Sequence, residues 1–126
     1  MFSNAKILVV DDDSTICETL AMILEEEGYL ADKALCGKEA IELSRSNSYD
    51  IAIVDSRLPD IEGERLLVKF KEMVPGMTQI MMTGNQSCNT ALLPVNYIPD
   101  AFFIKPINVD KLLEKIDELL QKQENV

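Results

Sequence analysis

At 126 residues, with 47% hydrophobic and 27% charged side chains, the chain has the size and composition of one ordinary globular domain built on a single core. Twelve basic against 22 acidic residues give a formal charge of −10, which argues against nucleic acid or an anionic membrane as a partner, because phosphate-rich surfaces are held by clustered Lys and Arg. No apolar run approaches the ~20 residues that span a bilayer, and the opening Met1-Phe2-Ser3-Asn4-Ala5-Lys6 lacks the regions of a secretory signal, so a cytoplasmic protein is expected.

There is no His, which excludes a Ser-His-Asp or Cys-His nucleophile and any phosphohistidine donor within the chain. Cys17, Cys36 and Cys88 are widely separated and form neither a disulfide framework nor a zinc spacing. Cys17 and Cys36 read as small buried or half-buried fillers.

In chain order, apolar runs alternate with helix-period segments. Residues 6–10 are a short β-branched run, as in a strand buried on both faces. Ser14 is the candidate cap of the next helix, whose Ile16, Leu20, Ile23 and Leu24 share a stripe, and Gly28 is its stop signal. Residues 29–34 read as a weaker strand near an edge, and 37–46 as a helix through Ala40, Ile41 and Leu43. Residues 51–54 form a third buried strand that ends abruptly at Asp55. A loop with Pro59 and Gly63 leads to a helix carrying Leu66, Leu67 and Phe70.

Pro75-Gly76 makes a turn before a fourth strand over 78–82. Residues 84–100 are the least regular, and Pro94 and Pro99 restrict any helix there to about two turns. Residues 101–104 form a fifth strand ending at Lys105-Pro106. Asn108 is the expected N-cap of a last helix with Val109, Leu112, Leu113, Ile116, Leu119 and Leu120 on one face. Strands alternating with helices imply parallel pairing and right-handed crossovers, with the working groups beyond the carboxyl ends of the strands.

Those ends supply Asp11-Asp12-Asp13, Asp55, Thr83 and Lys105. Clustered carboxylates repel one another and resist ionising together, so they need a cation. Hard oxygen ligands suit Mg²⁺, which also takes phosphate oxygens. Lys105 can hold a phosphate oxygen as a point charge and Thr83 offers a small hydroxyl for another. Any one of these residues alone would be an ordinary cap, turn former, surface charge or core residue, and Asp13, the third acid of its run and not needed for the metal, reads as a helix cap or turn former. The meeting of the others on one rim is what points to phosphoryl transfer to a carboxylate.

The segments Ile7-Leu8-Val9-Val10-Asp11-Asp12-Asp13, Ile53-Val54-Asp55-Ser56-Arg57-Leu58-Pro59-Asp60-Ile61-Glu62-Gly63, Met82-Thr83-Gly84 and Phe103-Ile104-Lys105-Pro106 resemble, in order and spacing, the receiver domains of two-component response regulators. The expected fold is a three-layer, doubly wound five-stranded parallel sheet, flavodoxin-like with order 2-1-3-4-5. A short or distorted helix is expected between the fourth and fifth strands. The expected domain is single, with residues 5–122 as its core and 123–126 as a tail.

The resemblance implies that Asp55 is the phosphoacceptor and that Asp11, Asp12, Asp55 and the backbone carbonyl of Arg57 hold Mg²⁺ (or Mn²⁺). It implies that Lys105 bridges to Asp55 and then to the phosphoryl group, and that the Lys105–Pro106 bond is cis. Thr83 and Phe102 are the implied switch pair, with Phe102 lacking the hydroxyl of the Tyr often found there. Arg57 and Asn85 lie where side chains tune the lifetime of the acyl phosphate. The implied partners are a sensor histidine kinase or a histidine phosphotransfer protein and an unidentified output protein, with a homodimer allowed. The chain would be no enzyme in the usual sense, catalysing only its own phosphorylation and dephosphorylation.

Two rivals follow from the same residues. Asp11-x-Asp13-x-Thr15 formally satisfies the nucleophile motif of haloacid dehalogenase-type phosphatases, but no later strand ends in the acidic pair such enzymes need, and Asp55 would have no role. A receiver fold kept only for docking would not need the full set of acids, Thr and Lys. The chain departs from the receiver pattern in Gly84, where Ala is usual, and in Asn96-Tyr97-Ile98-Pro99-Asp100, which replaces a Gly-Ala turn.

Overall fold

Strands form where the apolar runs are continuous, and the most continuous runs lie innermost. The computed structural model describes residues 5–84 and 99–124. Its strands are β1 (Lys6–Val10), β2 (Leu30–Ala34), β3 (Ile51–Asp55), β4 (Thr78–Gly84) and β5 (Ala101–Lys105), all parallel in the order β2-β1-β3-β4-β5. β3 is buried at every position and β1 and β4 nearly so, whereas β2 and β5 carry the exposed positions of edge strands. This is the class and order expected, and the weak pattern of β2 is explained by its edge position.

Four helices are described: α1 (Ser14–Glu26), α2 (Gly37–Ser46), α3 (Gly63–Met73) and α4 (Val109–Glu124). Strand residues alternate between two cores. Ile7, Val9, Ile51, Ile53, Ile80 and Met82 meet Leu20 and Leu24 of α1 and Leu112, Ile116 and Leu120 of α4. Leu8, Val10, Ala52, Val54 and Met81 meet Ala40 of α2 and Leu66, Leu67 and Phe70 of α3. Period-2 alternation in strands buried on both sides therefore makes the three layers. The expected short helix between β4 and β5, with Asn85, Cys88 and Pro94, falls on residues 85–98, outside the described residues.

The ends of the helices refine the sequence reading. Asp13, not Ser14, caps α1: its Oδ1 accepts the N–H groups of Thr15 (2.9 Å) and Ile16 (3.3 Å). The helix begins one residue earlier than expected, with a carboxylate at an end where the dipole favours negative charge. Gly28 follows α1 with φ 97°, a conformation open to Gly. Asn108 caps α4 as expected, accepting the Lys111 N–H at 3.1 Å.

At α2 the local cap, Cys36, whose Sγ accepts the Glu39 N–H at 3.5 Å, is joined by one from elsewhere in the chain. The Asp60 carboxylate accepts the N–H groups of Gly37 (2.8 Å) and Lys38 (2.9 Å), which holds its pKa below the usual carboxylate range and fastens the β3–α3 loop to α2. Gly37 lies so close to Ile61 that a Cβ there would displace the Ile61 side chain.

Cys17 is buried in α1, its thiol 3.2 Å from the Asp11 carbonyl oxygen. Burial first, and then the charge of Asp11, push its pKa from 9.0 to about 11. Cys17 is therefore expected to alkylate about 100-fold more slowly in the native protein than in the unfolded chain near neutral pH. Iodoacetamide labelling with and without urea checks this. Because the folded-state value is the raised one, the associated stability is complete below pH 9.0 and is lost as pH rises through about 11.

Candidate functional site

Parallel strands bring their carboxyl ends to one edge, and the residues singled out in the sequence meet there. Asp11 follows β1 and is fully buried; Asp55 ends β3 and is nearly so; Asp12 is exposed at the rim. One carboxylate oxygen from each of Asp11, Asp12 and Asp55 lies within 4.8 Å of the others. This donor set and spacing fit a hard divalent cation.

Lys105, at the end of β5, reaches across the edge from the far side of the sheet. Its Nζ donates to Asp11 Oδ2 at 2.7 Å and to Asp55 Oδ2 at 3.1 Å, bridging the two buried acids. Asp11 Oδ1 accepts the Asp13 N–H at 3.0 Å, and Asp55 Oδ1 accepts the Arg57 N–H at 3.3 Å. The Lys105–Pro106 bond is cis, as expected.

Electrostatics follow from the burial. Desolvation raises the Asp55 pKa, the Lys105 hydrogen bond pulls it down, and repulsion from Asp11 adds to the rise; the net direction is upward. For Lys105, burial works against the ammonium but the hydrogen bonds to Asp11 and Asp55 outweigh it, so its pKa stands above the ordinary value. The site thus holds a lysine firmly charged beside a carboxylate that resists ionising. A cation at the acidic cluster would relieve that resistance.

The chain around Asp55 is closely pinned. The Ser56 N–H donates to the Met82 carbonyl at 2.8 Å, and the Gly63 N–H donates to the Ser56 carbonyl at 3.0 Å. Gly63 lies against the Asp55 carbonyl, where a Cβ would collide with the backbone. Thr83 is buried near the end of β4, part of a strand and not the turn residue it would resemble in isolation. Phe102, in register with Met81 on β5, is 42% exposed, so it is not simple core.

Asp13 does not join the site, because its carboxylate is committed to the α1 cap. The phosphatase motif needs both carboxylates of Asp11-x-Asp13 at the site, so that reading loses its geometric basis. Sequence reasoning missed Ser56, whose Oγ donates to Thr83 Oγ1 at 3.2 Å. A hydroxyl directly after an apolar strand and its terminal acid was the available signal.

Residues 7–117 match the family model described as "Response regulator receiver domain". The chain belongs to that family. It is 30% identical over 118 residues to the transcriptional regulatory protein GlrR of Escherichia coli K12, covering 94% of this chain and 27% of that protein. It is 28% identical over 118 residues to the response regulator ArlR of Staphylococcus saprophyticus, covering 94% of this chain and 53% of that one. This receiver therefore spans about a quarter to a half of the length of these relatives.

Among solved structures, a CheY-like response regulator receiver domain protein from Methanospirillum hungatei JF-1 superposes with a TM-score of 0.90 at 39% identity, over 97% of this chain and 98% of that one. The response regulator TrrA from Thermotoga maritima, solved in complex with Mg²⁺ and BeF, superposes with a TM-score of 0.78 at 31% identity, over 91% and 98% of the two chains. The chain is a receiver domain of two-component response regulators. Among the described residues, no helix is long and apolar enough to cross a membrane.

Proposed function

We propose that this receiver takes a phosphoryl group onto Asp55 from the phosphohistidine of a sensor kinase or histidine phosphotransfer protein. The observation that carries the proposal is the bridge from Lys105 to the buried pair Asp11 and Asp55, which with Asp12 form a cluster of three carboxylates within 4.8 Å of one another. Asp11, Asp12, Asp55 and the Arg57 carbonyl would hold Mg²⁺ or Mn²⁺. A divalent cation there supplies neutralisation of the carboxylates and coordination of phosphoryl oxygens. In the transfer an Asp55 oxygen bonds to phosphorus as the donor N–P bond breaks, and the imidazole leaves. Lys105 Nζ balances charge on the phosphoryl oxygens as they pass.

Thr83 would then turn its hydroxyl toward the phosphoryl group, and Phe102 would rotate inward. Having no hydroxyl, Phe102 responds by packing alone. An apolar cavity of about 270 Å³, lined by Ile16, Leu20, Pro106 and Ile107 and bordered by Lys105, would be the surface that a phosphodonor meets beside the site. We read the protein as cytoplasmic, acting on an output protein and not on nucleic acid directly, and as a catalyst of its own phosphorylation and dephosphorylation only.

The test is to incubate the protein with acetyl phosphate and Mg²⁺, reduce the acyl phosphate with borohydride, and map the modified residue by mass spectrometry. Modification at Asp55 is expected. A Mg²⁺-dependent adduct at Asp13, or none anywhere, overturns the reading.

A further inference from the structure

Asp55 pairs with Met82 across β3 and β4, so one residue further along Ser56 comes beside Thr83. Both residues are buried, and their hydroxyls meet, with Ser56 Oγ 3.2 Å from Thr83 Oγ1. Ser56 is not free to drift, since its own N–H and carbonyl are tied to Met82 and Gly63. Thr83 Oγ1 is also 3.4 Å from the Gly84 carbonyl. Along β4, Thr83 follows the side-chain alternation of Met81, whose core contains Leu66 and Phe70; Met82 and Ile53 belong to the core on the other face. The hydroxyl of Thr83 is therefore engaged across the strand pair by Ser56.

A buried hydroxyl is costly unless it is hydrogen-bonded. We propose that Ser56 is a latch on the switch residue: its hydrogen bond holds Thr83 in the unphosphorylated arrangement, and the turn of Thr83 toward a phosphoryl group requires that bond to be exchanged. This rests on the reading of Asp55 as phosphoacceptor and of Thr83 as its switch partner. Ser56 is not among the clustered carboxylates Asp11, Asp12 and Asp55; it acts through Thr83, as a positioning residue. The consequence is thermodynamic, because anything that stabilises only the resting state weakens the affinity for a ligand that selects the other state.

The probe is beryllofluoride with Mg²⁺, a stable mimic of the acyl phosphate, titrated calorimetrically into the whole chain. Ser56→Ala is expected to bind it roughly 2- to 10-fold more tightly than the parent, the range set by one net hydrogen bond. Ser56→Thr, which keeps a hydroxyl, should return affinity toward the parent value. In a Thr83→Ala background, Ser56→Ala should change nothing. The Thr83 methyl resonance of metal-loaded Ser56→Ala should shift part-way toward its beryllofluoride-bound position, which a loss of general stability would not produce. Ser56→Cys serves the same titration if Ser56→Ala does not fold.

Equal or weaker binding by the hydroxyl-free variants overturns the latch while leaving Asp55 as acceptor. A parent protein that shows no Asp55-dependent uptake of beryllofluoride overturns both.

Discussion

Replacing Lys105 with Met is expected to lower the stability of the metal-free protein by about 2 kcal/mol and to slow phosphorylation of Asp55 by acetyl phosphate about 100-fold or more. The Lys105 ammonium is the cation that bridges Asp11 and Asp55, at 2.7 and 3.1 Å. Removing one partner of a buried ion pair leaves an uncompensated charge and costs about 3–5 kcal/mol where water is fully excluded. The Lys105 side chain is 23% exposed, so the smaller figure applies here. The deficit should depend on pH. Burial already raises the Asp55 pKa above 3.8, and loss of Lys105 removes a group that lowers it.

A carboxyl with a raised folded-state pKa contributes stability below its unfolded value and loses it as pH rises through the folded one. The variant should therefore be weakest at neutral pH, recover in mild acid, and recover in part when Mg²⁺ is added. Asp55→Asn should do the reverse, gaining stability without metal while losing all phosphorylation. Urea unfolding at neutral and mildly acid pH, with and without Mg²⁺, separates these outcomes. A Lys105→Met protein as stable as its parent at neutral pH, and phosphorylated as fast, would show that the bridge contributes neither charge balance nor chemistry.

Most of the architecture was legible because the inner strands announce themselves. Residues 7–10 of β1 and 51–54 of β3 are apolar without interruption, as in strands buried on both faces. α2 and α4 were legible from their stripes, and Asp11, Asp12, Asp55, Thr83 and Lys105 because a parallel sheet gathers whatever stands at its carboxyl ends. What escaped was contact between segments distant in sequence. Ser14 and Asp13 both read as candidate caps of α1 because hydroxyls and acids are near-equals in that role, and only the backbone path decides for Asp13.

No local pattern predicts that Asp60 will cap a helix 22 and 23 residues upstream. Nor does one predict that Ser56 will meet Thr83, 27 residues away. Phe102 was identified by position alone; its exposure depends on what packs over β5, which strand periodicity does not encode.

Gly63 carries the second large expectation. A Cβ built there collides with the carbonyl oxygen of Asp55 and comes within 2.7 Å of Ser56 Cα and 2.9 Å of the Asp55 carbonyl carbon. These are backbone atoms of the phosphoacceptor strand and its continuation, so no side chain can rotate aside to make room. Gly63→Val is expected to cost about 3 kcal/mol or more, at the upper end of overpacking effects. The only relief is to lift the β3–α3 loop, which also moves the Arg57 carbonyl away from the acidic cluster. Mg²⁺ affinity should fall together with stability.

Gly37→Ala meets side-chain atoms, Ile61 Cγ2 and, at 3.3 Å, Asp60 Oδ1, which can shift, and should cost closer to about 1 kcal/mol. Gly76 has nothing within 4 Å, so Gly76→Ala should lie within about 0.5 kcal/mol of the parent. Denaturant midpoints for the three variants, with Mg²⁺ titrations beside them, check the ranking. If Gly63→Val unfolded like Gly76→Ala and bound Mg²⁺ like the parent, the close approach of this loop to Asp55 would have no part in forming the site. If both measures fall together, one glycine links the fold of the loop to the chemistry at the end of β3.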